Sequence, residues 1–104
     1  MRPIYRWSGE YFGFVGDTGG LFDARGRYLG WVADDGKVWD VYGNYLGDLV
    51  EGGYVLREFL ATIPAVRRRP APAAEPAPPS PGAPRPPRPQ RPTHFDALDV
   101  FPSA

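Results

Sequence analysis

Acidic residues recur at one loop position of this chain: Asp17, Asp34 and Glu51 stand 17 residues apart, with Asp35 beside the second. Carboxylates in oxygen-rich loops hold Ca²⁺ only where six or more oxygens converge. Acids at the tips of successive loops stand apart, and Asp is favoured in turns for its own hydrogen bonds to the backbone, so no metal is expected. Catalysis needs a convergent nucleophile, acid or base. The single histidine, His94, lies near the C-terminus, cysteine is absent, and Ser8 is the one serine before residue 80. No catalytic residue, no cofactor and no enzymatic activity are expected.

The residues suited to chemistry are therefore those that bind. Trp7 and Tyr42 fall at the centres of short turns, where a large ring gains little from local structure, and Trp31 occupies a position held elsewhere by Phe14 and Asp48. Rings so placed suit contact with a protein, a sugar or a lipid. Near the C-terminus, Phe95, Leu98 and Phe101 recur at spacing three with acids between and Pro102 after them, the pattern of a short docking motif. Upstream, Pro86-Pro87-Arg88-Pro89-Gln90-Arg91 fits the PxxPx[RK] pattern read by aromatic grooves, although so proline-rich a stretch first reads as a solvated linker.

A repeat must position the rings. Ile4 to Gly13, Leu21 to Gly30 and Val38 to Gly47 align without a gap, and a fixed period marks one supersecondary unit used several times. Each unit predicts a β-hairpin around a type I turn closed by glycine at positive φ: Arg6 to Gly9, Asp23 to Gly26 and Asp40 to Gly43. The turn sets the register, pairing Arg6 with Glu10, Asp23 with Arg27 and Asp40 with Asn44. One step out it pairs Tyr5 with Tyr11, Phe22 with Tyr28 and Trp39 with Tyr45, and one further step Ile4 with Phe12, Leu21 with Leu29 and Val38 with Leu46. Matched cross-strand pairs contribute roughly 0.2–1 kcal/mol each.

Gly13, Gly30 and Gly47 fall inside the second strands, where glycine is costly unless something lies close; a ring of the next unit is expected over each. Gly19, Gly36 and Gly53 close the loops between hairpins. A fourth unit begins at Val55-Leu56-Arg57, but Leu60 and Pro64 replace its glycines, so one strand and an irregular closing segment are expected there.

Composition divides the 104 residues: twelve of 13 glycines precede Pro64, and eleven of 14 prolines lie between Pro70 and Pro92. The expected organisation is a hairpin-repeat domain over 1–66 (units 4–20, 21–37, 38–54 and a degenerate 55–66), a disordered Pro/Arg-rich linker over 67–92, and a hydrophobic-acidic motif over 93–104. Such a linker cannot bury enough apolar surface to offset its ordering entropy. Residues 1–66 hold six Lys/Arg against nine Asp/Glu, and residues 67–104 six against three. An acidic domain on a basic tail does not suit nucleic acid. Weak attachment to a membrane surface through Arg67 to Arg69 is a lesser alternative. The N-terminus lacks the apolar stretch of a signal peptide, no run approaches membrane-spanning length, and the lack of cysteine suits a reducing compartment; a cytoplasmic location is expected.

Hairpin units of this length, with Trp7-Ser8-Gly9 and Tyr28-Leu29-Gly30-Trp31 and a basic proline-rich tail ending in a short hydrophobic stretch, resemble the bacterial four-fold β-flower proteins. The resemblance implies a shallow, pseudo-four-fold barrel of four hairpins, carries no established activity and transfers no functional residues. The expectation is thus an all-β antiparallel meander of 17-residue hairpins with a disordered tail. Its expected role is a non-enzymatic interaction or structural module whose C-terminal motif engages a protein partner or another copy, through Trp7, Trp31, Tyr42, Phe95, Leu98 and Phe101. The alternative is a small-ligand binder taking a sugar or acyl chain in the mouth of the barrel.

Overall fold

Short apolar runs punctuated by glycine-bearing turns make eight strands: β1 (Arg2–Tyr5), β2 (Tyr11–Val15), β3 (Gly20–Asp23), β4 (Tyr28–Val32), β5 (Lys37–Asp40), β6 (Tyr45–Val50), β7 (Tyr54–Glu58) and β8 (His94–Asp96). The computed structural model describes residues 1–72 and 76–101. The strands form one antiparallel sheet in chain order, and a 3₁₀ turn, Ala97–Val100, follows β8. The fold is all-β.

Three hairpin turns share one hydrogen-bond pattern. The amides of Gly9, Gly26 and Gly43 donate to the carbonyls of Arg6, Asp23 and Asp40 at 2.9, 3.0 and 3.1 Å. Each glycine has φ between 84° and 96°, a conformation that side chains resist. The register follows as expected for Tyr5 opposite Tyr11, Phe22 opposite Tyr28 and Trp39 opposite Tyr45.

One step further out the expectation fails. Ile4, Leu21 and Val38 face Gly13, Gly30 and Gly47, because the register shifts at each of these steps. A bulge makes Phe12, Leu29 and Leu46 the extra residues. It turns them inward: Phe12 and Leu46 are buried in the core, and Leu29 packs against it. The glycine expectation is corrected as well. Backbone, not a ring, lies over them: a Cβ on Gly47 would stand 2.6 Å from the Leu56 carbonyl oxygen, and one on Gly13 or Gly30 would strike the carbonyl of Phe22 or Trp39.

The sheet curls into a half-barrel, and β1 meets the turn between β6 and β7: the Tyr5 amide donates to the Gly53 carbonyl at 2.7 Å. Ile4, Val15, Leu21, Val38, Val55 and Leu98 fill the inner face. Rings cover the outer one, in stacked pairs (Phe14 with Phe22, Trp31 with Trp39) and edge-on pairs (Tyr5 with Tyr11, Trp39 with Tyr45).

Behind β7 the chain has no glycine turn, and its partner strand comes from the C-terminus. Leu56, Arg57 and Glu58 of β7 face Asp96, Phe95 and His94 of β8. The connection, residues 59–93, contains no helix or strand among its described residues. It runs back over the hairpin turns in reverse order: the Arg67 amide donates to the Gly43 carbonyl at 2.8 Å, Pro76 and Pro78 pass Gly26, and the Arg85 amide donates to the Gly9 carbonyl at 2.8 Å. The described residues of the segments read from sequence as linker and separate motif are thus laid against the sheet, while residues 73–75 and 102–104, Pro102 among them, lie outside the described residues.

Candidate functional site

Two adjoining places hold the C-terminal chain. The first is the seam beside β7, into which the 3₁₀ turn inserts Ala97 and Leu98, 1 % and 0 % exposed. Arg6, itself buried, supplies the polar anchor. Its guanidinium donates to the carbonyls of Leu98 and Phe101, both at 2.9 Å, and meets the Asp99 carboxylate at 3.2 Å while lying over the Phe12 ring. A desolvated guanidinium needs such acceptors.

Asp96 closes the seam from the other side. Its two carboxylate oxygens accept the amides of Trp7 and Leu98 at 2.9 and 3.0 Å. Burial raises its pKa above the ordinary carboxylate value; those two hydrogen bonds and Arg6 oppose the rise, and Asp99 adds to it. Asp23 and Asp40 instead cap their own turns, Asp23 accepting the amides of Arg25 and Arg27 and Asp40 those of Tyr42 and Asn44. In the first hairpin Arg6 stands at that position, and a carboxylate arrives from the far end of the chain.

The second place is an aromatic groove formed by Tyr5, Trp7 and Tyr54, with Trp7 edge-on to Tyr54 at 5.0 Å. The proline-rich connection occupies it. Arg85 lies over Tyr5 at 3.8 Å and Arg88 over Trp7 at 5.2 Å, and both face Tyr54. The Tyr5 hydroxyl donates to the Ala83 carbonyl at 3.0 Å and the Trp7 indole to the Pro89 carbonyl at 2.8 Å.

Of the residues singled out from sequence, Trp7 belongs to this groove, and Leu98 is core. Phe101 packs on Phe12 and Phe95 on Phe59, with ring centroids 5.8 and 5.3 Å apart. Trp31 is buried against Trp39 beneath Arg67 and Arg69, and its indole N–H finds no acceptor among the described residues. Tyr42 stands apart, 66 % exposed. Sequence reasoning missed Arg6, Asp96, Tyr54 and Arg85, and named Arg88 only within a PxxPx[RK] match read first as linker. One signal was present: Arg6 occupies the position where the other units carry Asp.

The loop acids are spread over separate turns. Asp17 takes the N-terminal ammonium at 3.0 Å, Asp35 accepts the Lys37 amide, and no three potential metal-ligating side chains gather among the described residues. A cleft of about 1100 Å³ is lined by Arg2, Trp31, Asp34 and Arg69 among others. Among the described residues no helix is long and apolar enough to cross a membrane. Comparison of the chain with protein-family models, curated proteins and solved structures finds no match.

Proposed function

We propose that the chain is a cytoplasmic, non-enzymatic interaction module of the β-flower kind, whose C-terminal segment is a tethered ligand seated on its own sheet. In this reading four hairpins surround a pseudo-four-fold axis. Three are 17-residue units, and the fourth is completed by the returning strand; the tail is disordered once released. The seam accepts a short strand followed by a turn that offers Ala-Leu to the core and an acid to Arg6. A partner presenting that pattern replaces the chain's own segment.

The observation that carries the reading is the joint use of Leu98 and Arg6: complete burial of the former, and three acceptors on the latter all drawn from residues 98–101. Such an arrangement fits a segment that binds, rather than one that merely ends the chain. The test is rescue in trans. Leu98→Ala in the full chain is expected to lower Tm, and a free peptide spanning residues 92–101 of the natural sequence is expected to restore it. Ligand at 100 times its Kd adds about 2.7 kcal/mol. A Tm lowered by Leu98→Ala and unmoved by peptide would contradict the reading.

A further inference from the structure

The groove of Tyr5, Trp7 and Tyr54 is distinct from the seam, and what it holds has a definable chemistry. Proline offers no N–H, so between Pro84 and Pro89 only Arg85 and Arg88 carry amide donors. Both are used: they donate to the carbonyls of Gly9 and Trp7 at 2.8 and 3.0 Å. The carbonyls on either side, Ala83 and Pro89, are taken by the Tyr5 hydroxyl and the Trp7 indole. Backbone contacts thus fix direction and register.

Side chains then select. The two arginines are three residues apart, one turn of a polyproline II helix, which places them on one face. Both reach the Tyr54 ring, and Arg85 also donates to the Gly52 carbonyl at 2.6 Å and the Tyr54 hydroxyl at 3.2 Å. A guanidinium over an aromatic face contributes roughly 0.5–1 kcal/mol where exposed and about 2 when desolvated. Gly82 passes so close to the Tyr5 hydroxyl that a Cβ there would strike it. The groove therefore reads glycine, then two arginines at spacing three separated by prolines.

We propose that this groove is a recognition site for proline-rich segments of other proteins that carry arginines at this spacing, and that the chain's own residues 82–89 mask it. Aromatic grooves suit such chains because an extended proline helix loses little entropy on docking. A tethered segment acts at an effective concentration in the millimolar range, so the mask holds until it is weakened or outcompeted.

The probe is a labelled peptide with the sequence of residues 81–90, titrated onto the full-length protein. The Arg85→Ala/Arg88→Ala variant, with the seam untouched, is expected to bind at least tenfold tighter than the natural chain. Trp7→Ala added to that variant should abolish binding, as should replacing both arginines of the peptide by alanine. Because alanines in the tail can leave the mask in place, a second variant replaces residues 82–89 by a Gly/Ser stretch of equal length, and it should bind equally well. No binding to either unmasked variant, or equal affinity for masked and unmasked chains, overturns the proposal. A dimer of the natural chain at micromolar concentration would assign the groove to a second copy and overturn it too. Failure here leaves the seam unaffected, since residues 92–101 are tested with a different peptide.

Discussion

Gly30 shows how one residue's freedom from a side chain sets the spacing of two strands. Its neighbour across the sheet is Asp40, and the Trp39 carbonyl occupies the place of a Cβ. Gly30→Ala is expected to lower stability by about 1–3 kcal/mol through overpacking against backbone that cannot yield. Gly36→Ala meets nothing nearer than 3.9 Å, but its φ of 87° brings a left-handed penalty of roughly 1–2 kcal/mol. Urea denaturation of both variants measures the two effects separately. Asp23 makes a different kind of local statement. Burial alone would raise its pKa, but hydrogen bonds from the Arg27 amide and guanidinium and the Arg25 amide outweigh it and hold the carboxyl below its ordinary value. A carboxyl depressed in the folded state stabilises above its unfolded pKa, and that contribution fades as pH falls through the folded pKa. Between neutral pH and strong acid, the natural chain should therefore lose more Tm than Asp23→Asn does. Equal losses in the two proteins would show that Asp23 contributes nothing of the kind.

The strand–turn element at the C-terminus differs from the other hairpins in what closes it. Three hairpins are closed by four-residue turns, and those were legible because Gly9, Gly26 and Gly43 announce themselves at a fixed distance from paired rings. The bulges were not. Nothing in Phe12, Leu29 or Leu46 distinguishes a residue paired across the hairpin from one turned inward beside it, and only the core's need for large apolar groups decides. The returning strand was half legible: Phe95, Leu98 and Phe101 were visible as a docking pattern, but the sheet edge that receives them ends at Glu58, with 35 residues between it and β8, beyond the reach of any periodicity. The proline stretch hid its contacts for a related reason. Its partners are turn carbonyls and ring faces; the PxxPx[RK] match at Pro86 to Arg91 points to aromatic rings but does not say which rings receive it. At this scale the rescue variant has a definite size. Leu98→Ala should destabilise by about 2–5 kcal/mol, as for buried leucines generally, whereas Val100→Ala, 62 % exposed in the same turn, should stay within about 0.5 kcal/mol. Equal effects would mean that the turn is not inserted.

Across the whole molecule, an acidic sheet is wrapped by its own basic tail. Six of the twelve Lys/Arg residues lie in residues 67–104. Arg67, Arg69, Arg85 and Arg88 each rest on a ring of the outer face, so the strap covers the aromatic surface that the hairpins leave outside. A domain of about 65 residues buries a modest share of its surface. Here the end of the chain adds Ala97, Leu98 and Phe101 to the core and its border. The hairpins, the strap and the seam depend on one another through that closure: without the returning strand, β7 has a bare edge and Arg6 loses its three acceptors in residues 98–101. Closure by the C-terminus is the central claim. The most direct measurement is the set of nuclear Overhauser contacts of the Leu98 methyls in the natural, full-length chain. Contacts to the methyls of Ile4 and Val55 are predicted, together with shifts well away from those of an unstructured leucine. Unstructured shifts and no long-range contact at Leu98 would contradict it.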